Sequence, residues 1–200
     1  ERKIIMDKNK KGFSLLELLL VLGIIAALVV SAFVVYPKVR DARYIDIEAK
    51  HIAQIYASVK NVYTGQPNYS GLSTTTLAMP AQFFPEDMLS KKITWAISSW
   101  GGYVVVDSNK VSPSGGTDSS FTISYSDVPD SVCIRLITAV EGAFFNIYIS
   151  NQKGINSGGE SASKNYGTLV KQNGNNTDIA LAASTCQSGG QNNRVVFLAL

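Results

Sequence analysis

The segment Lys10 to Pro37, KKGFSLLELLLVLGIIAALVVSAFVVYP, limits what the rest of this chain can be. Its uncharged part, Leu18 to Tyr36, is about nineteen residues long. As a helix rising about 1.5 Å per residue it reaches roughly 28 Å, the thickness of a bilayer's hydrocarbon core. A run that is apolar all round is covered on every side, by lipid or by protein. Glu17 interrupts this character, set among Leu15, Leu16 and Leu18 at the N-terminal edge. One reading of it is local. Ser14-Leu15-Leu16-Glu17 matches a capping box, in which serine hydroxyl and glutamate carboxylate satisfy free N–H groups of a first turn that favours negative charge. The other reading starts from cost, because a carboxylate in or beside lipid is unfavourable by several kcal/mol unless a cation pairs with it. Cleavage between Gly12 and Phe13 would create such a cation, the α-amino group of Phe13, on the same chain or on a neighbour.

Lys11-Gly12-Phe13-Ser14-Leu15-Leu16-Glu17 followed by an apolar run resembles the processing and assembly motif of the type IV pilins and their relatives. The resemblance implies that a membrane-embedded prepilin peptidase cuts after Gly12 and that Phe13 becomes an N-methylated first residue. It also implies that Glu17 is the assembly carboxylate, paired with a neighbouring subunit's N-terminal amine. The fold it implies is α+β, a long N-terminal α-helix packed on an antiparallel β-sheet headgroup.

The formal charge of +3 sits in the leader: residues 1 to 12 hold five Lys/Arg and two Asp/Glu, which leaves thirteen of each sign in residues 13 to 200. A neutral mature chain offers no bulk-charge case for nucleic-acid binding. Lys8, Lys10 and Lys11 beside the apolar run orient the leader to the cytoplasm and the remainder outward. The apparent cut precedes the apolar run, so the anchor is kept, unlike that of an ordinary secretory signal peptide. The expected location is the inner membrane with a periplasmic headgroup before assembly, and an extracellular pilus after it. Glu1 is not an initiator methionine, which leaves Met6 as a candidate start.

Beyond Pro37, Ile45, Ala49, Ile52, Tyr56, Val59 and Tyr63 recur at steps of four and three, one face of an amphipathic helix, with Asp46, Lys50, Gln54 and Lys60 elsewhere. Gly65 and Pro67 end it. Ser14 to Tyr63 is therefore expected to be one helix, kinked or locally melted at Pro37, with Gly23 a second soft point. The chain divides into a leader at 1–12, an apolar transmembrane and assembly half at 13–37, an amphipathic half at 38–65 and a globular headgroup at 66–200.

In the headgroup, residues 66 to 90 read as an irregular connection with a helical turn around Pro85 to Leu89. Residues 93–97, 103–106 and 121–125 are β-branched and aromatic runs between turns, an antiparallel meander. Pro129-Asp130-Ser131 opens a second helix that Gly142 ends, and 143–149 is a strong strand. Residues 150 to 178 read as exposed loops around a weak strand at 166–170, and 178–184 as a short helix or turn. Arg194 to Leu200, apolar on successive residues, is expected to lie centrally in the sheet.

Cys133 and Cys186 are the two cysteines. On the outer side of the cytoplasmic membrane such a pair favours a disulfide over two buried thiols, and closing a loop of roughly fifty residues is worth about 4 kcal/mol. The run Ser131 to Val140 (SVCIRLITAV), the second cysteine and the short terminal strand resemble the C-terminal half of type IVb pilins, the class of the toxin-coregulated pilin and the thin-pilus pilins of conjugative plasmids. In that class a disulfide frames a variable, exposed segment.

Other chemistry is sparse. His51 is the single histidine, which argues against a histidine triad and excludes a multi-histidine metal site; it reads as a polar or packing residue of the amphipathic helix. Ser161-Ala162-Ser163-Lys164 matches the S-x-x-K tetrad of serine acylases, but it lies in a Ser/Gly-rich loop without its K-T-G or S-D-N partner and reads as chance. No P-loop is present, and neither cofactor nor metal is expected. The expected function is structural rather than enzymatic: the major pilin of a type IVb pilus, polymerising with itself through its N-terminal helix for adhesion, aggregation or cell-cell contact. Its expected partners are the prepilin peptidase, membrane lipid before assembly, the inner-membrane pilus assembly machinery and a host or recipient cell surface. The alternative is a minor pilin or a type II secretion pseudopilin, which share Gly12 to Glu17. An enzyme on a helical anchor is a third reading with no catalytic constellation to support it.

Overall fold

The structure, a computed structural model, describes residues 14–90, 95–109, 116–151 and 166–200. Helix α1 spans Leu15–Val62, within a residue of the expected bounds at each end. It stays helical through Gly23 and Pro37, so proline does not melt it. The ring removes a single backbone donor, and the helical hydrogen bonds on either side hold the turn. By compactness the chain divides into two units, Glu1–Arg40 and Asp41–Leu200. The first contains α1 up to Arg40, and every described side chain in it is exposed.

The second unit is built on a six-stranded sheet of order β1-β2-β3-β6-β4-β5, with all neighbours antiparallel. The strands are β1 (Ala96–Ile97), β2 (Tyr103–Asn109), β3 (Ser120–Val128), β4 (Asn146–Ser150), β5 (Thr168–Lys171) and β6 (Asn193–Ala199). β1 to β3 form the expected meander. β6 returns between β3 and β4 and is buried along its whole length, the central position that its unbroken apolar run requires. β4 starts later than its apolar sequence suggests, because Glu141–Ala143 first make a tight 3-10 turn. Of the expected strand at 93–97, Ala96–Ile97 is observed and 91–94 lie outside the described residues.

Two further helices flank the sheet. α2 covers Asp130–Val140 and α3 covers Ile179–Gly189, five residues longer than the expected end at Ser184. Asp178 caps α3, its side chain accepting from the Leu181 N–H at 3.0 Å. The helix continues because Ala182 and Cys186, four apart, are its buried positions, and it ends before Gly190, whose φ of 55° suits glycine. Val132, Leu136 and Ile137 of α2 and Ala182 of α3 share one core with Ile45, Ile52, Ile55 and Val59 of α1 and with Phe121, Ile123, Tyr125, Ile147 and Phe197 of the sheet.

The face that α1 buries differs from the expected stripe. Ile45, Ile52 and Val59 are common to both, but the observed face is completed by Asp41, Glu48, His51 and Ile55, while Tyr56 and Tyr63 stand half-buried at its border. Charged residues face the core because partners meet them there. Glu48, completely buried, accepts from the Ser99 N–H at 2.6 Å and the Ser99 hydroxyl at 2.7 Å. His51 lies between Glu48 (3.3 Å) and Asp87 (3.0 Å). Each bond satisfies a group whose burial alone would cost several kcal/mol. Ser99 belongs to the tight β1–β2 turn, where Gly102 is obligatory because a Cβ there would run into the Ser126 carbonyl. Near the other end of α1, the Lys60 ammonium donates to the Tyr69 hydroxyl at 2.8 Å and stands 5.5 Å and 5.9 Å from the Tyr69 and Phe121 ring centres.

Candidate assembly site

From Leu15 to Val39 the apolar side chains of α1 point into open space. The best 18-residue window of this helix has a mean hydropathy of 3.1 and none of it is buried; among the described residues this is the one helix long and apolar enough to cross a membrane. Leu15 and Phe33 are each 76% exposed. At about 1.5–3 kcal/mol per large apolar side chain, Leu18, Leu19, Leu22, Ile25, Leu28 and Phe33 alone account for roughly 9–18 kcal/mol of unfavourable hydration in water. Such a surface is built to be covered.

Glu17 occupies the first turn of α1, exposed, at the end of the helix where backbone N–H groups give a partial positive charge. Leu18 already donates its N–H to the Ser14 carbonyl at 3.1 Å. Gly12 and Phe13, the expected cleavage and methylation residues, lie outside the described residues. Further along, a Cβ on Gly23 would meet nothing within 4 Å, so the packing of this chain alone does not require glycine there. Ser31 turns its hydroxyl back onto the Ala27 carbonyl at 2.8 Å, satisfying its donor within the helix and leaving the surface of this stretch suited to lipid or to another helix.

In the second unit Cys133 and Cys186 form a disulfide, with S–S 2.05 Å and Cα–Cα 5.8 Å, joining α2 to α3. Both cysteines are buried. The bridge encloses β4, β5 and the exposed turn Gln172–Asn176. Ser161 and Lys164, the chance S-x-x-K match, lie outside the described residues. His51 serves as the packing residue described above, and no group of three metal-binding side chains occurs among the described residues. Buried Glu48 and its half-buried partner Ser99, and the exposed Asp87 that meets His51, escaped the sequence reading. One signal for Glu48 was available: 41, 45, 48, 52, 55 and 59 follow the same alternation of four and three as the stripe chosen.

The family model described as PilS N terminal matches residues 42–200, and that for the prokaryotic N-terminal methylation motif matches residues 7–33. This chain belongs to the PilS family. Its curated relatives include the major structural subunit of the bundle-forming pilus of Escherichia coli O127:H6, 26% identical over 98% of this chain and 97% of the relative. The protein of the same description from Escherichia coli O111:H- is 25% identical over the same shares. Among solved structures, the type IVb pilin from Salmonella typhi superposes with a TM-score of 0.53 at 20% identity, covering 76% of this chain and 97% of that one. TcpA, a type IV pilin from the El Tor biotype of Vibrio cholerae, gives 0.57 at 14% identity, covering 79% and 99%. The PilS-family chain thus has the type IV pilin fold: a long N-terminal helix and an antiparallel six-stranded sheet.

Proposed function

We propose that this chain is the structural subunit of a type IVb pilus, held in the inner membrane by the apolar half of α1 before it polymerises through that helix into an extracellular filament. The observation that carries the reading is the exposed apolar surface of Leu15–Val39 on a chain whose second unit has a complete core of its own. A membrane reservoir can feed a filament because bundling many copies of this helix moves apolar surface from lipid into protein, never through water. Pairing of Glu17 with the Phe13 amine of an adjacent copy relieves a charge otherwise unpaired at low dielectric and sets the axial step between copies. In this reading the prepilin peptidase cuts after Gly12 and methylates Phe13, and the disulfide-framed region of α2, β4, β5 and α3 forms part of the outer surface, where a host or recipient cell is met.

The match over nearly the whole length of major structural subunits supports a major pilin over a minor pilin or a type II secretion pseudopilin, and a structural role over an enzymatic one. The test is to shear filaments from producing cells and take the intact mass of the subunit with and without reductant. A chain that begins at Phe13, carries one added methyl group and gains two hydrogens on reduction is the expected result. The same processed chain confined to the membrane, absent from filaments, would overturn the major-pilin reading.

A further inference from the structure

We infer that the outer end of the membrane-spanning half of α1 is a binding site for anionic phospholipid headgroups, with Lys38 and Arg40 as the phosphate-binding side chains. The inference rests on the reading of this helix as a membrane anchor and names the lipid class that the anchor meets. From Phe13 to Arg40 the charged residues are Glu17, Lys38 and Arg40. The two cations follow directly on the apolar run, and every side chain from Leu15 to Arg40 is exposed.

Helix geometry sets their depth. Leu18 to Tyr36 fill about 28 Å of hydrocarbon, which leaves Tyr36, 69% exposed, at the boundary where a phenol ring meets water with its hydroxyl. At about 1.5 Å per residue, Lys38 and Arg40 stand about 3 Å and 6 Å farther out, within the roughly 5–7 Å of headgroup layer on each side of a bilayer. Arg40 lies one turn beyond Tyr36 on the same side of the helix, and Lys38 lies nearly opposite, so headgroups can be met all round. Arg40 offers a phosphodiester a planar fork of N–H donors, and Lys38 a compact ammonium. The nearest carboxylate, Asp41, is buried, and the next exposed charges along the helix, Arg43 and Asp46, are opposite in sign and three residues apart. The exposed charge at this level of the helix is therefore positive.

Membrane orientation does not account for the pair. Basic residues that set topology stand on the cytoplasmic side, where Lys8, Lys10 and Lys11 already supply them. With the proposed cleavage after Gly12 those three leave with the leader, and the mature helix carries basic side chains at the outer end of its apolar run alone. What lies there before assembly is the phosphate layer of the outer leaflet, and each Lys/Arg beside an anionic surface gives about a fivefold preference for it. Held by headgroup phosphates, the helix keeps a fixed depth. Drawn outward into a filament, it takes no Lys or Arg through hydrocarbon.

The experiment is native mass spectrometry of the processed full chain, extracted from membranes of producing cells into detergent with equal amounts of phosphatidylglycerol and phosphatidylcholine of the same acyl chains. Lipid adducts of the unaltered chain are expected to favour phosphatidylglycerol by at least about fivefold. The Lys38→Gln, Arg40→Gln double variant should bring the ratio close to one. Lys50→Gln, Arg135→Gln, which removes the same charge from exposed positions elsewhere, should leave it high. Equal adducts of the two lipids on the unaltered chain, or the same loss in both double variants, overturn the site and leave the membrane-anchor reading standing. Inorganic phosphate in place of chloride at equal ionic strength should not lower the ratio; if it does, the pair binds free phosphate and the lipid proposal fails. Recovery of the processed chain from the soluble fraction and not from membranes would overturn the anchor reading itself and this site with it.

Discussion

Glu48 and Ser99 meet through two hydrogen bonds to a single oxygen: Oε1 accepts from the Ser99 backbone N–H at 2.6 Å and from its Oγ at 2.7 Å. The pair joins α1 to the β1–β2 turn inside the core. Removing the carboxylate strands both Ser99 donors and the facing nitrogen of His51. Glu48→Ala should therefore destabilise the fold by about 3 kcal/mol, and Glu48→Gln, which keeps an acceptor, by about half as much. Denaturant unfolding of the full chain in detergent, followed by the fluorescence of Trp95 and Trp100, measures the difference. Equal midpoints for Glu48→Ala and the unaltered chain would refute this role.

Burial raises the Tyr125 phenol well above the ordinary value of 10.0, and the charge of Glu48 pushes it further in the same direction. The folded state thus holds this proton more tightly than the unfolded chain. The contribution to stability is complete below pH 10 and is lost as pH rises from there through the folded value, at up to about 1.4 kcal/mol per pH unit. Tyr63, raised mainly by burial and then by Asp118, adds a contribution of the same sign. Comparing Tyr125→Phe with the unaltered chain isolates Tyr125: unfolding midpoints taken at pH 9, 10 and 11 should fall less steeply for the variant. Parallel curves would show that Tyr125 is not held neutral by the fold.

Much of this architecture was legible because apolar patterning reports burial directly. The extent of α1, the meander and the central place of β6 follow from their apolar runs, although the face that α1 buries is not the stripe those residues suggest. The pairings of Glu48 and His51 were not legible, since a charged residue on a helix reads as solvated until its partners are known, and those partners, Ser99 and Asp87, lie far along the chain, where nothing in the sequence ties either turn to α1. The extension of α3 past Ser184 was missed for a related reason: Thr185, Cys186, Ser188 and Gly189 are weak helix formers, held by the burial of Cys186 against Cys133 rather than by propensity. At the candidate assembly site, the carboxylate of Glu17 stood out against its apolar run; elsewhere, a cleft beside Ala49 and Ala139 depends on two helices brought together by folding.

The disulfide joins two helices whose other contacts include few large side chains on the α3 side, where Ala182 and Cys186 are the buried residues. Loss of the bridge in Cys133→Ser, Cys186→Ser should lower stability by about 2–4 kcal/mol, as expected for a closed loop of this size. The loss should be concentrated in α3. Native-state hydrogen exchange is the decisive measurement: amides of Ile179–Gly189 should exchange much faster in the variant, with those of β3 and β6 slowed down relative to them by the intact core. Uniform acceleration through the sheet would mean that the bridge supports the whole fold and not the α3 corner.

A substitution at Glu17 tests the proposed assembly role separately from membrane insertion. Its carboxylate lies in the first turn of a helix whose remaining surface to Tyr36 is uncharged, so replacing it with valine makes the helix no less suited to lipid. The proposed processing after Gly12 depends on the leader and the peptidase, neither of which the substitution alters. Assembly is different, because the proposed pair with the Phe13 amine of the adjacent copy loses its anion and leaves an ammonium unpaired in an apolar filament core, a cost of several kcal/mol. Glu17→Val is therefore expected to accumulate as a processed, membrane-held chain, with at least about a tenfold lower yield in sheared filaments, since each 1.4 kcal/mol is one factor of ten. The ratio of sheared to membrane-bound subunit, read on one immunoblot, gives the answer. A normal ratio would show that Glu17 acts only as a helix cap, because a cap's loss weakens the first turn without selecting against the filament.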